Sequence, residues 1–226
     1  MTDATISPLQ TSAEAPDDRV ARRNVAILVA AQAILGAQLP IMFILGGLSG
    51  QILAENKALA TVPISVTVLS TMFAAPAISA LMGRYGRRPG FLLGALGGAV
   101  GAGLGAWALL IGSFPLLVSG AAFTGVYMAA QGFYRFAAAD AASPAFRPKA
   151  ISWVMAGGLL SAVLGPELVK LTRDMLAPAP FAGAYVAAAG LNIVGFWLFL
   201  LLREPRPTIR ASDGPRGRPL SEIVRH

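Results

Sequence analysis

Cysteine is absent from the 226 residues, and the single histidine is the last of them, His226. Without thiols there are no disulfides and no thiolate metal sites, and without an internal imidazole there is no histidine relay or histidine metal cluster. Charge is scarce too: Asp, Glu, Lys and Arg make up 13% of the chain, against about 25% in an ordinary soluble domain. No nucleophile–base set, metal-ligand cluster or phosphate-binding loop stands out, so the sequence reads as a non-enzyme with no catalytic residues, metal or cofactor. The Gly101-Ala-Gly103 run has no strand before it and lies inside an apolar stretch, so it is not a nucleotide loop.

What the chain does have is apolar length. Hydrophobic residues make up 55% of it, and the mean hydropathy is +0.65. Six apolar segments fall near residues 25–48, 60–82, 90–112, 115–138, 150–171 and 181–202, each close to the ~20 residues a helix needs to cross the hydrocarbon core. Barrel strands are about half that length and alternate in polarity, which these segments do not. The fold expected is all-α and integral to the membrane, with six transmembrane helices over 24–202 and the lipid bilayer as the first partner. The net charge of +7 does not point to nucleic acid, because the basic residues sit in short loops and tails beside the apolar segments.

Residues 1–23 are polar and mixed in charge and lack the basic start and short apolar core of a signal peptide; they are expected to form a disordered cytoplasmic tail. Residues 203–226 are basic and rich in Pro and Gly, like an interdomain linker. Arg19, Arg22, Arg23, Arg84, Arg87, Arg88, Arg147, Lys149 and the tail arginines all fall on one side of a six-span arrangement. Lys57, Lys170 and Arg173 fall on the other. Basic loops stay cytoplasmic, so both termini are expected there.

The most informative stretch is Leu81-Met-Gly-Arg84-Tyr-Gly86-Arg87-Arg88-Pro-Gly90 between segments two and three. Leu81, Arg84, Gly86, Arg87 and Arg88 match in spacing the loop signature of the major facilitator superfamily, which the chain resembles. Ser79 stands where that signature has its first glycine, and Gly83 where it has an aspartate. Asp140 and Arg147, between segments four and five, are similar to an acid and an arginine that in the family help bind the bundle on its cytoplasmic side. Gly157-x-x-x-Ser161-x-x-x-Gly165-Pro166 resembles a glycine-rich motif of the family's antiporters, with Val169 and Lys170 in place of its closing glycines. Ala121 falls about where proton-driven drug exporters carry an arginine. The resemblance spans roughly residues 25–202 and implies the six-helix N-terminal half of a twelve-helix fold, in a half-sized or truncated member. It also implies a bacterial cytoplasmic (inner) membrane location, and substrate held between two six-helix units.

Helix four carries the candidate binding stripe. Tyr127, Gln131 and Arg135 lie at i, i+4 and i+8 with Tyr134 beside them. An arginine within a span is costly and faces a polar cavity or a partner. Either Arg135 draws a polar or anionic solute into a cavity lined by the tyrosines, or it snorkels or pairs with Asp140. On helix one, Gln32 and Gln38 point to different faces, Gln32 being the candidate substrate contact, and Pro40 bends the helix. Asn192 reads as an interhelical hydrogen bond, Glu167 and Lys170 as a helix-end ion pair, and the row Gly97, Gly101, Gly105 as a packing face. Trp107, Trp153 and Trp197 read as interface anchors or packing residues. The function expected is secondary transport of a small solute by alternating access with a second six-helix unit, whether a second copy or another half. The alternative is a non-transporting structural or assembly subunit of a larger membrane complex, and a truncated, inactive product is a third reading.

Overall fold

The computed structural model describes residues 18–203. Among them there is no strand, and six stretches are long and apolar enough to cross a membrane: Arg19–Leu53, Lys57–Tyr85, Arg87–Ile111, Phe114–Ala141, Arg147–Thr172 and Ala182–Leu200. These are spans one to six, and each overlaps one of the apolar segments read from the sequence. The tail segments 1–17 and 204–226 lie outside the described residues. α1 begins at Asp18, so the last residues assigned to the N-terminal tail are its first turns. Hydropathy marks where the hydrocarbon core is, whereas a helix continues past it into charged sequence.

Six spans are built from eight α-helices. Span one is α1 (Asp18–Leu35) followed by α2 (Gln38–Leu53). Span two is a 3-10 turn, Lys57–Leu59, and α3 (Val62–Tyr85). Span three is α4 (Arg87–Ile111). Span four is α5 (Phe114–Gln131) followed by the short α6 (Tyr134–Ala141). Spans five and six are α7 (Arg147–Thr172) and α8 (Ala182–Leu200). The sequence predicts span four as one unbroken helix and span one as one helix bent at Pro40, and the structure interrupts both.

The basic loop shrinks to a single residue. Gly86, at φ 93°, is at once the C-cap of α3 and the N-cap of α4, a conformation that costs a glycine little and an L side chain much. Arg84 is in the last turn of α3 and Arg87 and Arg88 open α4. The motif thus turns the chain with its glycine and sets its arginines on the two flanking helix ends.

Span three is the most buried of the six, and small residues let spans four and six approach it. A side-chain carbon at Gly101 would lie 2.7 Å from the Gly120 carbonyl oxygen and 2.8 Å from the Thr124 nitrogen on span four. On another face of α4, Gly98 is filled by Asn192 and Gly105 by the Tyr185 ring, both from span six. In lipid no hydrophobic force drives helices together, so close backbone contact of this kind holds the bundle. The glycine row is therefore a packing feature, serving two neighbours rather than one.

Spans two and five are the periphery. Of span two's most apolar window only 11% is buried, and of span five's 28%, against 56% for span three. Span two docks on span four and span five on span one, so the pairing repeats between the first three spans and the last three. The contacts differ in kind. Thr67, Ser70 and Thr71 donate to the carbonyls of Ala121, Ala122 and Gly125 at 3.1, 2.6 and 3.1 Å. Span five instead presents the small residues Gly157, Ser161 and Gly165, all buried. A side-chain carbon at Gly157 would meet the Val29 carbonyl at 2.9 Å, and one at Gly165 the Ala37 carbonyl at 2.8 Å. The glycine motif of helix five is thus the surface on which span one rests, and Pro166 follows it inside α7. Trp107, Trp153 and Trp197 are each more than half exposed at 56%, 51% and 65%, so none packs into the core.

Candidate functional site

Interrupted membrane helices at corresponding positions of two repeats are the physical pointer to a transport site, since unwound backbone inside a membrane persists only where something satisfies it. Spans one and four occupy corresponding places here. In span one the cause is local. Pro40 has no N–H, so the Gly36 carbonyl is taken instead by the Leu39 N–H at 3.1 Å. Leu39 would otherwise bond the Leu35 carbonyl, which is left free at the break. The Tyr127 hydroxyl of span four donates to it. In span four α5 ends at Gln131, and Gly132–Phe133 separates it from α6.

This bond explains a correction to the predicted stripe. Tyr127 and Tyr134 are buried, at 0% and 1% exposure, and do not line an open face. Tyr127 meets the backbone of span one. Tyr134 packs edge-on against Phe91 at 5.0 Å between ring centroids and against Phe199 at 5.4 Å, a cluster that joins spans three, four and six. The i, i+4, i+8 argument treated residues 127–135 as one continuous helix, and the break at 132–133 removes that premise.

Gln32, Gln131 and Arg135 differ. Gln32 and Gln131 are half-buried and Arg135 exposed, and the two glutamine amides have no hydrogen-bond partner among the described residues. Spans one and four run in opposite directions, as the first and fourth of six crossings, with Leu35 beside Tyr127. Gln32 lies three residues before Leu35 and Gln131 four after Tyr127. At 1.5 Å per residue both lie about 5 Å from that bond, toward the arginine-rich end of the bundle. The Gln32 amide nitrogen also lies 3.3 Å from where a side chain on Gly158 of span five would begin. Arg135 does not pair with Asp140; its guanidinium lies 5.0 Å from the centroid of the Phe136 ring.

Asp140 has another partner. Arg87 reaches it at 2.6 Å, joining the start of span three to the end of span four. Arg147 donates to the Ala139 carbonyl at 3.1 Å, so Asp140 and Arg147 secure the same short helix, α6. Arg84 lies 5.3 Å from the centroid of the Tyr85 ring, and Arg88 also makes a polar or ring contact. Nearby, the Asn24 side chain donates to the Arg203 carbonyl at 2.6 Å and accepts from its N–H at 3.2 Å. Arg23 caps the Leu201 carbonyl at 3.1 Å. Around these contacts is a cleft of about 200 Å³ lined by Asn24, Leu28, Met82, Arg87, Asp140 and Arg203. At this end, then, spans one to five and the segment that follows span six are tied by named polar contacts or line one cleft.

Sequence reasoning passed over Gln38 as a structural residue. It is fully buried and opens α2 immediately after the break. Asn192 of span six donates to its side-chain oxygen at 2.6 Å, which bears out the interhelical reading of Asn192. Glu167 and Lys170 pair at 2.7 Å, both more than half exposed, as expected for a helix end. No cluster of three or more metal-ligating side chains occurs among the described residues.

Residues 24–226 match the family profile described as Major Facilitator Superfamily. The riboflavin transporter RfnT of Brucella anthropi is 39% identical over 212 residues, which cover 92% of this chain and 53% of that protein. Two uncharacterized MFS-type transporters of Bacillus subtilis, YddS and YdeG, are each 29% identical, over 88% and 92% of this chain and 47% and 50% of their own lengths. The chain spans about half the length of the curated relatives it matches, and no solved structure matches it. With six spans, the basic loop motif and a family match over nearly its whole length, this multi-pass membrane chain belongs to the major facilitator superfamily.

Proposed function

We propose that this chain forms one six-helix unit of an alternating-access transporter for a small polar solute. The solute is held beside the breaks of spans one and four, and a second six-helix unit closes the cavity against spans two and five. The arginine-rich end faces the cytoplasm of a bacterial cell, by the rule that basic loops stay inside. The observation that carries this reading is the pair of interrupted spans with two unpartnered amides, Gln32 and Gln131, at about the same depth and Arg135 just past the break of span four. The low burial of spans two and five supplies the faces for the second unit.

Riboflavin is the solute proposed, since the relative named for its transport is 39% identical over 92% of this chain. The chemistry is compatible: the flavin ring system carries an imide edge that alternates acceptor and donor, and a carboxamide presents one of each. The test is riboflavin uptake into proteoliposomes, with the mass of the reconstituted particle measured in parallel. Saturable uptake by an assembly containing two six-helix units is expected. Gln131→Ala is expected to raise KM about five- to tenfold, the effect of one lost hydrogen bond to a neutral ligand, with the chain assembling normally. A single copy held in a larger unrelated complex, with no solute bound, would overturn the reading in favour of a structural subunit.

A further inference from the structure

The Tyr127 hydroxyl is buried in the bundle and donates one hydrogen bond, to the Leu35 carbonyl, across the span one–span four contact. That carbonyl is available only because Pro40 shifts the hydrogen-bond ladder by one residue, leaving the Leu39 N–H on Gly36. A free carbonyl at this depth has no water to turn to and needs a donor from another element. We propose that Tyr127 is a positioning residue: its hydroxyl secures the broken backbone of span one to span four and so sets the relative depth of Gln32 and Gln131. The inference rests on the transport reading above for its consequence, but not for the bond itself.

Three features of the surroundings support the role. The far side of the break is held independently, because Gln38 is bonded by Asn192 and its own amide approaches the Gly98 carbonyl at 3.5 Å. A third side is span five, where a side chain on Gly36 would meet the Ser161 hydroxyl at 2.8 Å and Gly165 lies against Pro40 and Ala37. Among these, Tyr127 alone reaches from span four. Finally, Gln131 is one helical turn from Tyr127 on α5, and Gln32 about one turn from Leu35 on α1. The bond thus lies about one helical turn from each of the unpartnered amides.

The experiment has two arms. In the first, Tyr127→Phe keeps the ring and its packing and removes only the donor. Pro40→Ala supplies the N–H that Gly36 lacks, which frees Leu39 to bond Leu35 and makes the hydroxyl dispensable. The chain has no cysteine, so spin labels at Ala26→Cys on α1 and Phe136→Cys on α6 report the spacing of spans one and four without background. Tyr127→Phe is expected to broaden or displace the label distance distribution in the native background and to leave it unchanged in the Pro40→Ala background. An unchanged distribution in the native background, or an equal effect in both, would overturn the proposal. In the second arm, riboflavin KM is measured for Tyr127→Phe, Gln131→Ala and the double variant. A rise of roughly fivefold or more from Tyr127→Phe that is largely absent when Gln131 is already Ala is expected of a residue acting through that amide, and additive effects would overturn that role. If the unaltered chain neither binds nor transports riboflavin, it is the transport reading that fails, and the first arm still decides whether the hydroxyl holds the break.

Discussion

Asn192 shows what a single polar side chain does inside this bundle. Its amide nitrogen donates to Gln38 at 2.6 Å and to the Ala188 carbonyl at 2.8 Å. Its oxygen finds no conventional donor and lies against Gly98, where a side chain would otherwise stand, so a weak Cα–H contact is what faces it. One residue of span six thereby touches span one just after its break and span three at a glycine. Asn192→Leu keeps the number and branching of the side-chain heavy atoms, though it is larger, and leaves the Gln38 oxygen buried without a donor. The expected loss is about 1–2 kcal/mol, read as a lower unfolding midpoint in detergent. Because the damage is done at Gln38, Gln38→Leu added to Asn192→Leu is expected to recover part of it, and simple additivity would contradict the account.

Helices in this protein meet backbone to backbone, so the identity of a glycine matters only on the face where it sits. Gly101 lies against the Gly120 carbonyl and the Thr124 nitrogen, neither of which can rotate away, whereas nothing lies within 4 Å of a side chain at Gly103. Gly101→Ala must push spans three and four apart, at about 1–3 kcal/mol for overpacking. Gly103→Ala on the same helix adds helix propensity instead and is expected to be neutral or stabilising by up to about 1 kcal/mol. Thermal unfolding of the two variants in one detergent checks the contrast, and equal effects would mean that the span three–span four contact is looser than described. The interrupted helices follow the same logic. Pro40 signals the break in span one, but span four has no proline between Pro115 and its end at Ala141. Its break at Gly132–Phe133 accompanies α6 being tied separately to span three through Arg87–Asp140 and to the start of span five through Arg147.

At the scale of the whole molecule the bundle is lopsided. Span three is the most buried, while spans two and five keep long apolar faces uncovered, with Phe73 at 69% and Leu159 at 75% exposure. If a second six-helix unit closes the cavity, those faces meet protein and not lipid. Single cysteines at Phe73 and at Leu159 are expected to cross-link to the second unit in membranes, whereas a cysteine at Leu110 of span three, also exposed at 57%, is not. Mobility on a gel after oxidation reads the result, and cross-linking from Leu110 but not from Phe73 or Leu159 would place the second unit on a different face.

The arrangement of six membrane helices is legible in the sequence because burial in lipid is decided by composition over ~20 residues at a time. The loop arginines, the helix-end pair Glu167–Lys170, the packing glycines and the bond of Asn192 are also legible, since each depends on residue type in a local setting. What only the tertiary structure decides is which face of a helix is inside. Periodicity places Tyr127 and Tyr134 near Gln131 and Arg135, but in a membrane both the lipid-facing and the buried face are apolar, so hydrophobicity does not tell them apart. Tyr127 is drawn inward by a carbonyl on another span that Pro40 had freed, a pairing 92 residues apart in the chain. The sequence by itself determined the membrane, the number of spans and the family resemblance; the contacts between spans decided which polar residues hold the bundle and which remain without a partner.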